Sequence, residues 1–200
     1  MKYVNQLKYP HWLYVTRTEM EEEQKEIGRT TTVKTSACGL CAAVMVAHRL
    51  LPNCAFDLAE AIELSYAINA NRLRGTRYKL YAPAFAEKLG LKYKASGDLD
   101  ELRHCLRTGG AAVAIAGGDR CGHVGLFTHG GHFITIINEE PDGRFAILDP
   151  SYQEGKYEEE GRRGKVEVKN GCITLCTPET LLEECPMGKG DQAFFLFWRG

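Results

Sequence analysis

The sequence lacks both an excess of charge and a long apolar run. Its 200 residues carry 25 lysines and arginines against 26 aspartates and glutamates, a net charge of −1. This balance gives no basic surface for nucleic acid or anionic membranes, so we expect neither as a partner. No apolar stretch reaches the roughly 20 residues of a membrane-spanning helix. The polar start MKYVNQLKYPHW lacks the apolar segment of a signal peptide, which predicts a cytoplasmic protein, or a secreted one if a leader is removed.

The sequence also lacks internal repeats and low-complexity linkers. With 44% hydrophobic residues, the chain is long enough and apolar enough to bury one full core. We therefore predict a single domain that spans residues 1–200. The charged run at 20–26 is predicted to be a solvated loop or helix face.

Cysteine, by contrast, is abundant, with eight residues. Free thiols are expected in preference to disulfides, because no signal peptide indicates an oxidising compartment. Zinc is the main alternative, and three clusters have suitable residues: Cys38 with Cys41, Cys172 with Cys176, and Cys121 with His123. The first pair adjoins a helical run of Ala, Val and Met, and the second alternates with apolar residues as in a strand. Neither resembles a zinc knuckle, so we predict no metal site.

The hydrophobic pattern predicts helices first and strands second. Helical spacing begins at Cys38 and recurs in FDLAEAIELSYAINAN, KLYAPAFAEKLG and GDLDELRHCLRTGG. The predicted strands are AAVAIAGG, HFITIINEE, RFAILDP and QAFFLFW, with a weaker hairpin in GKVEVKNGCITLC. The turn PDG joins the second of these strands to the third. Helices followed by an antiparallel sheet indicate an α+β fold and not a doubly wound sheet.

Cys38 is the candidate nucleophile. It lies where a threonine-rich segment meets the first helix, and the positive end of the helix dipole favours a thiolate there. In such places the pKa of a thiol falls from ~8.5 towards the ~3.5–7.5 range. Backbone N–H groups at the helix start are suited to hold an oxyanion, and Gly39 is interpreted as room for a substrate backbone. Cys41 is the rival thiol, but it lies one turn further into the helix, where burial is expected.

A base for Cys38 must come from another part of the chain. His123, His129 and His132 cluster in CGHVGLFTHGGHFITIINEE, but His132 alone opens a strongly alternating strand. The return strand ends at Asp149, and a hairpin of this length brings Asp149 back towards His132. A carboxylate in that place orients the ring and stabilises its charged form. The residues thus indicate a Cys38–His132–Asp149 triad, with a buried cysteine, a loop histidine and a turn aspartate of unrelated roles as the alternative.

The order and spacing of these motifs resemble those of papain-fold cysteine peptidases of the bacteriocin-processing, double-glycine type, especially their stand-alone bacterial relatives. The matching residues are Cys38–Gly39, Gly131–His132–Phe133 and Asp149–Pro150. The segment VNQLKYPHW also resembles the family's opening. The resemblance implies a papain-like fold in which Cys38 is the nucleophile, His132 the general base and acid, and Asp149 its orienting partner. It further implies a peptide or protein substrate and no cofactor.

Two positions depart from the family's pattern. The oxyanion-hole glutamine of the family lies shortly before the cysteine, where this chain has Thr32. Gln6 matches the glutamine of the N-terminal motif, and the resemblance assigns the oxyanion hole to it, with the intervening segment looping out. Leu40 replaces the usual proline after Cys-Gly, which changes the turn but not the thiol.

The predicted function is that of a cysteine peptidase-like hydrolase, which cleaves an amide bond through an acyl-thioester on Cys38. Two alternatives remain open. An acyltransferase of the transglutaminase or peptide-ligating type uses the same triad and differs in whether water or an amine resolves the thioester. A catalytically silent relative, or a zinc-stabilised binding domain, would serve recognition alone.

Overall fold

The computed structural model describes residues 2–14, 31–185 and 192–200. The charged run predicted at 20–26 lies outside these ranges. The helices in the described part are α1 (Val33–Ser36), α2 (Cys38–Leu50), α3 (Leu58–Ala67), α4 (Tyr78–Leu89), α5 (Leu99–Arg107) and α6 (Pro178–Glu184). Short 3₁₀ helices cover Gln6–Lys8 and Lys156–Glu158. The strands are β1 (Asn71–Arg72), β2 (Gly75–Thr76), β3 (Leu91–Ser96), β4 (Ala111–Ala116), β5 (His132–Glu139), β6 (Phe145–Leu148), β7 (Val166–Lys169), β8 (Ile173–Cys176) and β9 (Phe194–Arg199).

Seven of these strands form one antiparallel sheet in the order β3-β9-β4-β5-β6-β8-β7. The central strand β5 pairs with β4, which sets Ala116 opposite His132. On its other side β5 pairs with β6, and a register shift interrupts that ladder between Ile136 and Asn138. β1 and β2 form a separate two-stranded hairpin.

The sheet is covered on both faces, because successive side chains along a strand point alternately into two apolar cores. In β4, Ala111 and Val113 belong to the core beneath α2, whereas Ala112 and Ala114 belong to the core beneath α5. Helix α2 packs against β4 and β5, and its small side chains are almost entirely buried there. Small residues let a helix approach a sheet closely, so the start of α2 is held next to the start of β5.

The predicted helices and strands are present. The side chains of Asp57 and Asp98 accept backbone N–H groups at the starts of α3 and α5, and Gly90 ends α4 with φ +63°. Several elements were not predicted, among them α1 and the hairpin of β1 and β2. Strand β3 was not predicted either, and it lies between two helices, so the segregation of helices before strands is incomplete. Helix α6, which follows β8, is a further unpredicted element. In the part of the chain that the structure describes, no helix is long and apolar enough to cross a membrane.

Candidate active site

Cys38 is the first residue of α2, and its side chain is buried at the junction with β5. The preceding residue, Ala37, has no side-chain cap to offer the first turn of the helix. Burial raises the pKa of Cys38, but the hydrogen bond and positive charge of His132 and the backbone N–H groups of Phe133 and Gly39 outweigh it. The net effect lowers the pKa, so this sulfur is an unusually acidic thiol.

His132 opens β5 and joins Cys38 to Asp149. Its Nε2 atom lies 2.8 Å from Oδ1 of Asp149 and 3.1 Å from Oγ of Ser151, which leaves Nδ1 for the thiol. Burial lowers the pKa of His132, but the hydrogen bonds to Asp149 and Cys38 and the charges of both outweigh it. The pKa is raised to about 9. At neutral pH the ring is therefore an imidazolium, with the ionised Asp149 on one side and the acidic thiol of Cys38 on the other.

Asp149 follows the last residue of β6 and is completely buried. Its Oδ1 atom accepts hydrogen bonds from His132 and from the backbone N–H and hydroxyl of Ser151, at 2.8 and 3.0 Å. Its Oδ2 atom accepts from the ammonium of Lys156 and, at 2.8 Å, from the hydroxyl of Tyr157. Burial raises the pKa of Asp149, but His132 and Lys156 outweigh it and hold the pKa well below its usual range. The buried carboxylate is ionised because its donors replace water.

The start of the chain lies beside these residues. The backbone N–H of Gln6 donates to the carbonyl of Pro150, and its side-chain Nε2 donates to the carbonyl of Lys34, each at 2.7 Å. The hydroxyl of Tyr3 donates to the carbonyl of Asp149 at 2.6 Å. Gln6 is therefore held between the residues that precede α2 and those that follow β6. At the alternative position, the backbone N–H of Thr32 donates to the Thr35 hydroxyl at the start of α1.

The other candidate residues have different surroundings. Cys41 is fully buried in α2, and burial raises its pKa. His129 is paired with Asp119 at 2.9 Å on the surface. His123 lies between two glutamates of α6, with Nδ1 3.1 Å from Glu183 and Nε2 2.8 Å from Glu184. The structure thus brings together Cys38, His132 and Asp149, while their catalytic roles stay predictions.

All eight cysteines lie in the described ranges and are free thiols. Within those ranges, one group has three ligand atoms close enough together for a metal ion. It consists of His123, Glu183 and Glu184 and includes no cysteine. Each carboxylate of this group faces a different nitrogen of the histidine ring.

Gly39 has a different role from the predicted one. A Cβ atom at this position would lie 3.0 Å from the ring of Tyr78 and 3.1 Å from the ring of Phe133. The space that the missing side chain leaves is filled by these two rings, which are themselves packed with centroids 4.7 Å apart. The glycine therefore lets aromatic side chains pack on the start of α2, and the interpretation as room for a substrate backbone was wrong.

Three residues around Asp149 were missed in the sequence, namely Ser151, Lys156 and Tyr157. They belong to the segment SYQEGKY, which directly follows Asp149–Pro150 and is polar enough to be taken for a solvated loop. The structure turns this segment back at once, because the N–H of Tyr152 donates to the Asp149 carbonyl. The available signal was a run of hydrogen-bond donors within eight positions of the aspartate that was predicted to orient His132.

No protein-family model matches the chain, and no curated protein matches it. Among solved structures it matches a C39-like peptidase from Bacillus anthracis, itself a provisional assignment, with a TM-score of 0.51 at 11% sequence identity. The match covers 82% of this chain and 88% of that one. The fold is papain-like. The predicted α+β class and papain-like architecture are thereby confirmed, and at this identity the likeness concerns the fold alone.

Proposed function

We propose that the protein is a cysteine peptidase-like hydrolase in which Cys38, His132 and Asp149 form a catalytic triad. The observation that carries the proposal is that the pKa values of the neighbouring Cys38 and His132 side chains are shifted in opposite directions. The pKa of the thiol is lowered and that of the imidazole is raised to about 9, because each stabilises the charged form of the other. A thiolate–imidazolium pair is the reactive state from which such enzymes begin.

The proposed chemistry has two steps, acylation of Cys38 and hydrolysis of the acyl-enzyme. The Cys38 thiolate attacks the carbonyl carbon of a peptide bond, and the imidazolium of His132 then gives its proton to the leaving amine. Water then attacks the acyl-thioester while His132 takes a proton from it; the C–S bond breaks, the carboxylic acid leaves, and the Cys38 thiolate and His132 imidazolium are restored. Asp149 keeps Nε2 of the ring occupied, so that Nδ1 faces the sulfur throughout.

The oxyanion of each tetrahedral intermediate needs donors beside Cys38. One is the backbone N–H of Cys38 itself, at the uncapped start of α2. The second is the amide of Gln6, whose Nε2 uses one hydrogen for the Lys34 carbonyl and retains another for a substrate. The short connection from Gln6 to Lys34, four residues before Cys38, supports this assignment.

The experiment treats the purified protein with a mixed peptide library and identifies the products by mass spectrometry, with and without an added primary amine. We expect new free carboxyl termini in both samples and none with Cys38→Ser. The control variant Cys121→Ser removes an exposed thiol and should leave cleavage unchanged. Products joined to the amine in preference to water would indicate an acyltransferase. Cleavage that persists in Cys38→Ser would contradict the assignment of the nucleophile.

A further inference from the structure

Lys156 is a buried lysine in contact with the candidate triad. Only 7% of the residue is exposed, and its ammonium donates to Oδ2 of Asp149 and, at 2.8 Å, to the hydroxyl of Ser151. A buried charge is costly unless it is paired and hydrogen-bonded, so a lysine at this depth is held there by its partners. Because its ammonium contacts Asp149 and Ser151 and not Cys38, the triad mechanism alone does not account for Lys156.

Lys156 completes a row of four groups whose charges alternate in sign. The row runs from the Cys38 thiolate through the His132 imidazolium and the Asp149 carboxylate to the Lys156 ammonium. Two tyrosine hydroxyls also donate hydrogen bonds to Asp149 in this row. Tyr157 donates to Oδ2 of the carboxylate, and Tyr3 donates to the backbone carbonyl of Asp149. Beyond the lysine, Glu159 and Arg162 form an ion pair at 2.9 Å, which adds little net charge.

The ammonium opposes the effect of Asp149 on the ring. A carboxylate alone favours the imidazolium by its full negative charge, but a cation on its second oxygen offsets part of that charge. His132 then loses its proton at a lower pH than it would beside an uncompensated carboxylate. The same contact fixes the carboxylate, since Oδ2 is held by two donors while Oδ1 faces the ring.

We propose that Lys156 is a positioning residue that orients Asp149 and, through its charge, sets the upper pH limit of the Cys38–His132 ion pair. This inference rests on the proposed function, because the ion pair is the reactive state of that mechanism. Burial lowers the pKa of Lys156, and the Asp149 carboxylate is the main group that opposes the change, while Arg162 and Glu159 act on it with opposite signs.

The neighbouring Tyr157 supplies a matched control. Its hydroxyl donates to the same Oδ2 atom as the ammonium, but it is neutral. Lys156→Gln removes the charge and keeps an N–H donor, whereas Tyr157→Phe removes a donor and leaves the charge. If Lys156 acts through its charge, Lys156→Gln should shift the titration of His132 more than Tyr157→Phe does. If hydrogen bonding to Oδ2 is what matters, Tyr157→Phe should have the larger effect.

The experiment follows the NMR titration of the His132 ring between pH 6 and 11, with the signal assigned from a His132→Gln variant. In Lys156→Gln we expect the midpoint to rise by about one pH unit, the lower end of the shift that a nearby charge causes. In Tyr157→Phe it should move less than half as far, and in Lys156→Arg it should stay near that of the unmodified protein. Lys156→Met serves as a second neutral variant if the glutamine variant does not fold by circular dichroism.

A midpoint that is unchanged or lower in the neutral variants would overturn the proposal, since the lysine would then carry no effective charge. An equal rise in Lys156→Arg or Tyr157→Phe would overturn it as well, because packing or hydrogen bonding would be the cause. The titration requires no substrate. A protein that cleaves no peptide but shows the expected shifts would refute the proposed function alone, whereas normal cleavage without the shifts would refute the role of Lys156 alone.

Discussion

Nε2 of His132 lies 2.8 Å from Oδ1 of Asp149, although 17 positions separate the two residues in sequence. The hairpin of β5 and β6 produces this contact. Thr135 is paired with Leu148, so Asp149 leaves β6 at the end of the ladder where β5 begins. The carboxylate is therefore fixed by the sheet, and the orientation of the ring follows from the backbone.

Replacing Asp149 by asparagine should reduce both stability and thiol reactivity. The variant keeps the shape of the side chain but leaves the buried ammonium of Lys156 without its anion, which costs about 3–5 kcal/mol. His132 also loses the charge that favours its imidazolium, so Cys38 should alkylate more slowly at pH 6. Urea unfolding and iodoacetamide kinetics measure the two effects. The control is Asp142→Asn at the exposed turn of the same hairpin, where the loss of the ion pair with Arg144 should leave stability nearly unchanged, because water and salt screen exposed ion pairs.

Cys38 should be the first of the eight cysteines to react with a small alkylating reagent at pH 6. An ordinary thiol is about 0.3% thiolate at that pH. His132 lowers the pKa of Cys38, so a larger fraction of this residue is thiolate. Peptide mapping after brief exposure to iodoacetamide identifies the modified residue. His132→Gln should slow this reaction by roughly 10²-fold as the thiol returns towards its ordinary pKa. If the exposed Cys121 of the wild-type protein is alkylated before Cys38, the ion pair is contradicted.

The pH dependence of turnover and of alkylation should differ on the alkaline side. The ion pair forms above the lowered pKa of Cys38 and ends when His132 loses its proton, near pH 9. Above that pH the general acid is lost and kcat/KM for peptide cleavage should fall. Alkylation should not fall there, because the thiolate persists without its proton donor. Parallel decline of both rates would indicate unfolding and not titration of His132.

The sequence predicted those parts of the site that depend on local structure. The helix start at Cys38 and the hairpin from His132 to Asp149 each follow from a periodicity within a short window, so both were predicted. The pairing of β3 with β9 joins residues near 91 and 199, and the short lysine-bearing segment LKYKAS gives no local sign of it.

Lys156 could not be predicted for a different reason. A lysine in a polar segment is solvated in most proteins. Its burial depends on the turn that follows Asp149 and on a carboxylate that can compensate the charge, and neither is visible in the composition of SYQEGKY. The identity of Gln6 as a neighbour of the site likewise came from resemblance, since no periodicity connects it to Cys38.

Adding a methyl group at Gly39 should disturb the site through packing. The new Cβ would lie within 3.0–3.1 Å of the ring of Tyr78, which is buried in the core, and of the ring of Phe133, which packs against that core. Gly39→Ala should therefore cost about 1–3 kcal/mol, the usual range for overpacking. Gly130→Ala is the control, because its added Cβ would meet nothing within 4 Å. Thermal melts of both variants test this, and equal stability would show that the rings can move aside.

Removing the side chain of Gln6 should separate acylation from thiol reactivity. If its amide holds the oxyanion, Gln6→Ala should slow peptide cleavage by roughly 10²–10³-fold, as the loss of such a donor does elsewhere. Alkylation of Cys38 forms no oxyanion and should stay nearly constant.

The variant also breaks the bond to the Lys34 carbonyl, so loosening of the chain start needs its own control. Asn5→Ala provides it, because Asn5 donates at 2.6 Å to the Tyr152 carbonyl and caps the N–H of Leu7, and so anchors the same segment without facing Cys38. If the two variants lose cleavage equally, anchoring of the N-terminal segment explains the effect and the oxyanion hole has another side-chain donor. A loss confined to Gln6→Ala, with alkylation intact, would support the amide of Gln6 as that donor.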